Sequence, residues 1–219
     1  MAQYVIFGDS AFAERIHKYI SLEKVGEVLC FTNEESFIAR NEINGLPVVA
    51  FERLPELYDI KDFELLICIG YAQMNQLREK IYHMCKNKGY KIGTWISKTA
   101  LIYSEDIQEG NIIMPGTLIG PTCSIGKCNV IASRVCISHD SLIGNFNFIS
   151  SAVTTGGFVN IGSNTFIGLN ATIRDGITIE DYTLVGAASN ILISTICEGV
   201  YAGNPAKKLE NKNSLLTTI

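Results

Sequence analysis

The chain has 219 residues and a net charge of −4, a length that suits one large domain or two small ones. It has no block of like charges, which argues against a protein that binds nucleic acid or a membrane surface through phosphates. It has no apolar stretch of ~18 residues and no signal-peptide pattern, so a cytoplasmic protein is expected. Its seven cysteines form no CxxC pair, which favours reduced, buried thiols over disulfides or a zinc site.

Residues 1–100 predict a small α/β domain, because short apolar strands alternate with segments of helical spacing. Strands are predicted at 4–8, 27–32, 64–70 and 90–96, and helices at 11–22, capped by Ser10, and 73–88, ended by Gly89. Ligands bind at the carboxyl ends of such parallel strands. The candidate contacts for a substrate there are Gly8, Asp9, Ser10, Asn33, Gly70, Asn75 and Arg78.

The first strand is followed by GDSAFAE, with one glycine where the dinucleotide fingerprint GxGxxG needs three. A nicotinamide cofactor is therefore not expected. The free backbone N–H groups at the start of the 11–22 helix still suit a single phosphate-bearing ligand. The alternative is a domain that only caps the rest of the chain.

Residues 101–205 carry a strict six-residue repeat. Counted in sixes from Ile107 to Cys197, fourteen of the sixteen register positions are Ile or Val. This period fits neither an α-helix nor a meander and is typical of a parallel β-helix, in which three hexads close one triangular coil. The register residue is expected to point inward, and the glycine that often follows it is expected to supply backbone freedom for the corner. Residues 206–219 are predicted to be a C-terminal tail.

His139 is the single histidine of the repeat region, and Asp140 follows it directly. His139 lies two residues past the inward Ile137, at a position that points out of the β-helix. A histidine paired with a carboxylate suits general-base chemistry near neutral pH. A surface histidine beside an aspartate explains the dipeptide equally well. A carbonic-anhydrase-like zinc module would need three histidines, so no metal site is expected.

Almost the whole chain resembles the two-domain, hexapeptide-repeat sugar acyltransferases, a family that includes nucleotide-aminosugar N-acetyltransferases and sialic acid O-acetyltransferases. The residues that carry the resemblance are Phe7-Gly8, Gly45–Val48, Ile69–Tyr71, Asn75, Arg78, His139–Phe146, Asn160–Gly176 and Gly203–Lys207. The resemblance implies a left-handed β-helix, a homotrimer and transfer of an acetyl or similar short acyl group from acetyl-CoA. The acceptor would be the amino group of a nucleotide-linked sugar used for surface polysaccharide such as lipopolysaccharide or capsule.

The resemblance also assigns individual roles. His139 would be the catalytic base and Asp140 its orienting partner. The backbone N–H of Gly157, one coil after His139, would face the thioester oxygen. Leu169 and Ala187 would line the pantetheine arm of coenzyme A, and Asn204, Lys207 and Lys208 would lie near its nucleotide end. A solvated tail is the simpler reading of the two lysines.

Two features of the sequence concern the acyl group and the acceptor. Many relatives carry a second histidine at the position of Phe148 or of Ala152, where it contacts the acetyl group, so an acyl group larger than acetyl is possible here. O-acylation of a sugar hydroxyl is the alternative to N-acylation, since the same base serves both. The identities of the sugar and its nucleotide are not predicted.

Overall fold

The computed structural model describes residues 2–217, which form an N-terminal α/β domain followed by a left-handed parallel β-helix. This confirms the predicted fold class. Across this described range, no helix is both long and apolar enough to span a bilayer.

Five strands form the N-terminal sheet, in the order β3-β4-β2-β1-β5. They are β1 (Ala2–Phe7), β2 (Gly26–Asn33), β3 (Glu42–Ile43), β4 (Leu46–Ala50) and β5 (Glu64–Ile67). All pair in parallel except β3 with β4, which form an antiparallel hairpin. The prediction missed this hairpin, although its Asn44-Gly45 turn, with positive φ at both residues, is a strong hairpin signal.

The helices are α1 (Ala11–Glu23), α2 (Leu54–Leu57) and α3 (Gln76–Asn87), with short 3-10 turns at Glu35–Phe37, Phe51–Arg53 and Ser214–Leu216. α1 buries Ala13, Ile16 and Ile20, a spacing that places one apolar face on the sheet. The strand predicted at 90–96 is divided between the two domains. Ile92 forms a single parallel bridge with Leu65 of β5, whereas Trp95–Ile96 is a strand that pairs with Ile112–Ile113 in the β-helix.

Three parallel sheets form the walls of the β-helix. The first wall consists of Trp95–Ile96, Ile112–Ile113, Val130–Ile131, Phe148–Ile149, Phe166–Ile167, Leu184–Val185 and Val200–Gly203, with Ala206–Lys208 added antiparallel at its end. The second wall consists of Leu101–Ile102, Leu118–Ile119, Cys136–Ile137, Thr154–Thr155, Thr172–Ile173 and Asn190–Ile191. The third wall consists of Asp106–Ile107, Ser124–Ile125, Leu142–Ile143, Asn160–Ile161 and Thr178–Ile179.

The repeat behaves as predicted over most of its length. Register residues one coil apart, such as Ile119 and Ile137, pair directly and belong to one buried core. The pattern stops after Ile191, because Thr195 is buried while the next register residue, Cys197, is exposed. The prediction of uniformly buried thiols is therefore wrong at Cys197, and Cys136 is only half-buried.

The glycines that follow the register residues have a different function from the one expected. None of them has positive φ, as Gly120 and Gly156 illustrate. A Cβ atom at Gly156 would lie 2.6 Å from the backbone nitrogen of Asp175 in the next coil. These glycines therefore allow close stacking of coils. The left-handed conformation occurs two residues later, mostly at non-glycine residues such as Asp140 (φ 55°).

The two domains share buried cores. One cluster contains Ile16 and Ile20 of α1 together with Trp95, Ile112 and Val130 of the first wall. The N-terminal domain is therefore packed on the first wall of the β-helix, and the carboxyl ends of its strands lie close to that wall.

Candidate active site

His139 and Asp140 lie at the corner that follows the second wall, here called the second corner, together with Gly157 one coil later. The imidazole Nδ1 lies 2.8 Å from Asp140 Oδ2, and Thr122 donates its hydroxyl to Asp140 Oδ1 at 2.7 Å. The side chains of His139 and Asp140 are 51% and 40% exposed. The pair is thus open to a substrate while both carboxylate oxygens are engaged.

The hydroxyl of Thr122, and then the contact with His139, lower the pKa of the Asp140 carboxyl below its ordinary value. An ionised carboxylate only accepts hydrogen bonds, so the Nδ1 that faces it carries the proton. In a neutral imidazole the lone pair then lies on Nε2. This arrangement presents Nε2 as a base, which is the chemistry expected from the sequence.

Gly157 lies directly against the imidazole. A Cβ atom at this position would lie 2.6 Å from Cε1 and 2.8 Å from Nε2 of His139, so any side chain would displace the ring. Phe158, 60% exposed, packs edge-on against the same imidazole with ring centroids 5.2 Å apart. Sequence reasoning missed Phe158 and Thr122, although both lie eighteen residues, one coil, from Asp140.

The three corners differ in the backbone N–H groups that they leave free. At the third corner, the N–H groups of Lys127, Asn145 and Ser163 donate to side chains of the next coil. In residues 2–217, the N–H of Gly157 at the second corner has no such acceptor. The same holds at the first corner for Ser151, Leu169 and Ala187. The first two corners therefore leave N–H donors free for an extended ligand, whereas three successive donors of the third corner are already engaged.

The residues predicted to bind coenzyme A fall into two groups. Leu169 and Ala187 are exposed at the first corner. Asn204 and Lys207 lie in and beside the terminal hairpin of the same wall, where Asn204 accepts a hydrogen bond from Asn190. Gly157 instead belongs to the second corner. Within one protomer, the four residues of the first wall therefore lie apart from His139, which is at the second corner.

Four predicted substrate contacts lie at the carboxyl edge of the N-terminal sheet. Asn33 donates to Asp9 Oδ1 at 3.0 Å, and Arg40, which the sequence analysis missed, donates to the Asp9 carbonyl at 2.8 Å. Gly8 has φ 120°, and a Cβ atom there would lie 2.8 Å from the Cys68 carbonyl oxygen. Ser10 is the exposed N-cap of α1, and its side chain makes no capping hydrogen bond.

A groove of about 430 Å³ separates α1 from the first wall. Its aromatic side is formed by Tyr71, Phe148 and Phe166, with the Tyr71 ring 5.0 Å from Phe148 and 4.8 Å from Phe166. The other residues around it are Phe12, Arg15, Gly70, Met114, Ala132, Ser150, Ser151 and Leu169. Phe148 thus lines this groove. Within one protomer it lies in the first wall, whereas His139 lies at the corner that follows the second wall.

The expectation that Asn75 and Arg78 contact the substrate is wrong. Arg78 is 1% exposed and Asn75 is fully buried. The guanidinium donates to backbone carbonyls of both domains, including those of Gly70 at 2.7 Å and Phe146 at 2.7 Å. Burial lowers the pKa of Arg78 to about 10, so it stays charged at neutral pH. With its donors engaged by protein carbonyls, this arginine is not available to a ligand.

Within the described residues, no three His, Cys, Asp or Glu side chains converge as metal ligands would.

No protein-family model and no curated protein sequence matches the chain. Solved structures do match along nearly its whole length. The acetyltransferase domain of PglB from Neisseria gonorrhoeae FA1090 is 21% identical, with a TM-score of 0.83 over 95% of this chain and 100% of that one. A mutant of perosamine N-acetyltransferase from Caulobacter crescentus, in complex with CoA and GDP-perosamine, is 24% identical, with a TM-score of 0.83 over 96% and 98%.

WeeI from Acinetobacter baumannii AYE is 20% identical, with a TM-score of 0.84 over 95% of this chain and 100% of that one. At these identities the likeness establishes the fold, which covers both domains and their arrangement.

Proposed function

We propose that this protein is an acyltransferase that moves an acetyl or similar short acyl group from acyl-CoA to the amino group of a nucleotide-linked sugar. The observation that carries the proposal is the exposed His139–Asp140 pair, whose geometry presents Nε2 as a base beside Gly157. The matching solved structures, two of them named as acetyltransferases, support the same chemistry. We place the reaction in the cytoplasm, where both substrates are made, in the synthesis of a surface polysaccharide such as lipopolysaccharide or capsule.

In this proposal His139 removes a proton from the acceptor amine as that amine attacks the thioester carbonyl. The C–S bond then breaks, the amide is formed, and the departing coenzyme A thiolate takes the proton from His139. Asp140 orients the ring and stabilises the positive charge that it gains. The unpaired N–H of Gly157 is suited to donate to the carbonyl oxygen as negative charge develops there. A positioned general base contributes roughly 10²–10⁴ in rate.

The acyl donor fits the first corner. Its pantetheine arm contains amide carbonyls, and the free N–H groups of Leu169 and Ala187 are donors of the required type. Asn204, Lys207 and Lys208 lie at the terminal hairpin of the same wall, where the lysines can meet the phosphates of the nucleotide end.

The acceptor fits the region between the N-terminal domain and the first wall. Its phosphates suit the N terminus of α1 near Gly8, Asp9 and Ser10. Its sugar suits the adjoining groove, whose aromatic side offers an apolar face to a sugar ring. In the described part of the chain, Arg15 is the one charged residue that lines this groove. A groove without carboxylates favours the neutral, nucleophilic form of an amine.

We further propose a homotrimer. His139 and Leu169 lie at different corners of one protomer, and a closed threefold arrangement would bring the second corner of one copy to the first corner of the next. Exposed apolar side chains at Leu142, Phe158 and Leu169 support association through these surfaces. A stable monomer near 24.1 kDa in light scattering at micromolar concentration would contradict the shared site.

The test is a panel of UDP-, dTDP- and GDP-linked amino sugars incubated with acetyl-CoA and with longer acyl-CoAs, and read by mass spectrometry of the product. The matched hydroxy sugars form a second panel for O-acylation, the alternative activity. We expect turnover on an amino sugar and loss of that turnover in His139→Asn. Turnover confined to the hydroxy sugars would overturn N-acylation, and no turnover on either panel would overturn the acyltransferase proposal.

A further inference from the structure

The segment that joins β5 to α3 has an unusual backbone. Gln73, Met74 and Asn75 are three consecutive non-glycine residues with positive φ, at 53°, 49° and 67°. L-residues adopt this left-handed conformation singly and at a cost, because Cβ approaches the backbone carbonyl. Three in succession persist only where the surroundings fix them.

Arg78 and Asn75 supply that fixation. Arg78 donates to the Gly70 carbonyl at 2.7 Å and to the Asn75 side-chain oxygen at 3.1 Å. It also donates to the β-helix carbonyls of Cys128, Phe146 and Asn147, at 2.9, 2.7 and 2.9 Å. Asn75 donates to the β-helix carbonyl of Thr165 at 2.8 Å. The segment is thereby bonded to the β-helix through two buried side chains.

The bonding pattern requires an arginine. In residues 2–217, no carboxylate lies within ion-pair distance of Arg78. Its charge is met by carbonyl dipoles alone, and the acceptors belong to both domains. A planar fork of five N–H donors reaches acceptors on several sides, whereas a lysine ammonium has three donors on one atom.

The segment between β5 and α3 also forms one side of the groove. Gly70 and Tyr71 both line it, and the Tyr71 ring packs edge-on against Phe148 and Phe166 of the first wall. The position of Tyr71 relative to the first wall therefore depends on the bonds that Arg78 and Asn75 make. Ser151 and Leu169 of the first corner line the opposite part of the groove, but in residues 2–217 neither Arg78 nor Asn75 hydrogen-bonds to them or to Ala187.

We propose that Arg78 and Asn75 are positioning residues for the acceptor: they hold Gly70 and Tyr71 against the β-helix, so that the groove has its acceptor-binding shape. The proposal rests on the proposed function, which places the acceptor sugar in this groove. Acceptor affinity depends on the two residues, while acyl-donor affinity does not.

The test compares Asn75→Gly with the matched control Asn164→Gly. Both asparagines are buried, both have a left-handed backbone that glycine accepts, and both donate across the domain boundary, Asn164 to Glu79 Oε2 at 3.0 Å. Asn75→Gly should raise the KM for the acceptor at least tenfold, with kcat and the KM for acetyl-CoA within about twofold. Asn164→Gly should leave all three constants within about twofold. Asn75→Asp, which keeps an acceptor for Arg78, should recover part of the loss.

Hydrogen exchange in the free protein gives a second readout that needs no substrate. The amides of residues 69–76 should exchange faster in Asn75→Gly and in Arg78→Lys, and stay protected in Asn164→Gly. An unchanged acceptor KM in Asn75→Gly, or equal effects in Asn75→Gly and the control, would overturn the proposal. If the wild-type protein acylates no nucleotide sugar, the acceptor part falls with the proposed function, and exchange still decides whether these residues hold the segment.

Discussion

At the second corner of the β-helix, His139 lies exposed beside Gly157. At the third corner, the residues at the equivalent positions are hydrogen-bonded from one coil to the next. There, Asn145 and Ser163 each accept a backbone N–H from the coil before, at 2.8 and 3.0 Å. The two corners have the same hexad geometry. The backbone therefore fixes the spacing of the corner positions, and the side chain one coil further on decides whether an N–H is used for stability or left for a ligand.

Removing the imidazole should have the largest effect on activity. His139→Ala should lower kcat by roughly 10²–10⁴, because the acceptor then loses its general base. Acetyl-CoA affinity, measured by calorimetry, should hardly change. His139→Asn is the control for packing at the same position. A His139→Ala enzyme that keeps more than about a third of the wild-type kcat would remove the base from the mechanism and leave positioning as the main effect.

Gly157→Ala tests whether the ring must lie where the structure has it. The new Cβ would meet the imidazole at 2.6 to 3.1 Å, so the ring has to move, and we expect a loss in kcat of about 10–100-fold, smaller than removal of the base. The double variant His139→Ala, Gly157→Ala should be little worse than His139→Ala alone, because the clash is gone. Additive losses in this cycle would place the effect of Gly157 elsewhere.

Thr122→Val and Asp140→Asn probe the support of the imidazole. Asp140→Asn should lower kcat about tenfold and Thr122→Val only about two- to fivefold, since the base itself remains. The Thr122 hydroxyl stabilises the ionised carboxylate, so its removal should raise the pKa of Asp140 and protonate that carboxyl at a higher pH as the solution is acidified. An NMR titration of the Asp140 carboxyl measures this shift, and an unchanged pKa would exclude the hydroxyl as its cause.

The smallest effect on activity is expected at the third corner. Ser163→Ala leaves the N–H of Asn145 without its side-chain acceptor, and should cost about 0.5–1.5 kcal/mol in the free energy of unfolding. The kcat should stay at the wild-type value. Denaturant unfolding measures the change in stability, and steady-state kinetics measures kcat. A tenfold fall in kcat would show that the third corner also contributes to catalysis.

The β-helix could be predicted from the sequence because its period is local and constant. Each hexad buries one residue at the register position, and each coil has the same eighteen-residue length as the one before it. The same arithmetic placed Gly157 beside His139, and would have found Thr122 and Phe158 one coil away from Asp140. The N-terminal domain was predicted less completely. The 90–96 segment is predicted as one strand of its sheet, but only Ile92 pairs there, with Leu65, while Trp95 pairs in the β-helix.

What the sequence determined by itself was the hexad register, the eighteen-residue coil and the pairing of His139 with Asp140, since each depends on residues at fixed local spacing. The position of Arg78, in contrast, depends on how the two domains pack against each other. The position of Arg78 eight residues after Gly70 is compatible both with a ligand contact and with a purely structural residue. Three of the carbonyls that accept from it belong to Cys128, Phe146 and Asn147, which are fifty or more positions away in the chain. Burial and the satisfaction of five donors depend on the packing of two domains, and no local pattern encodes that.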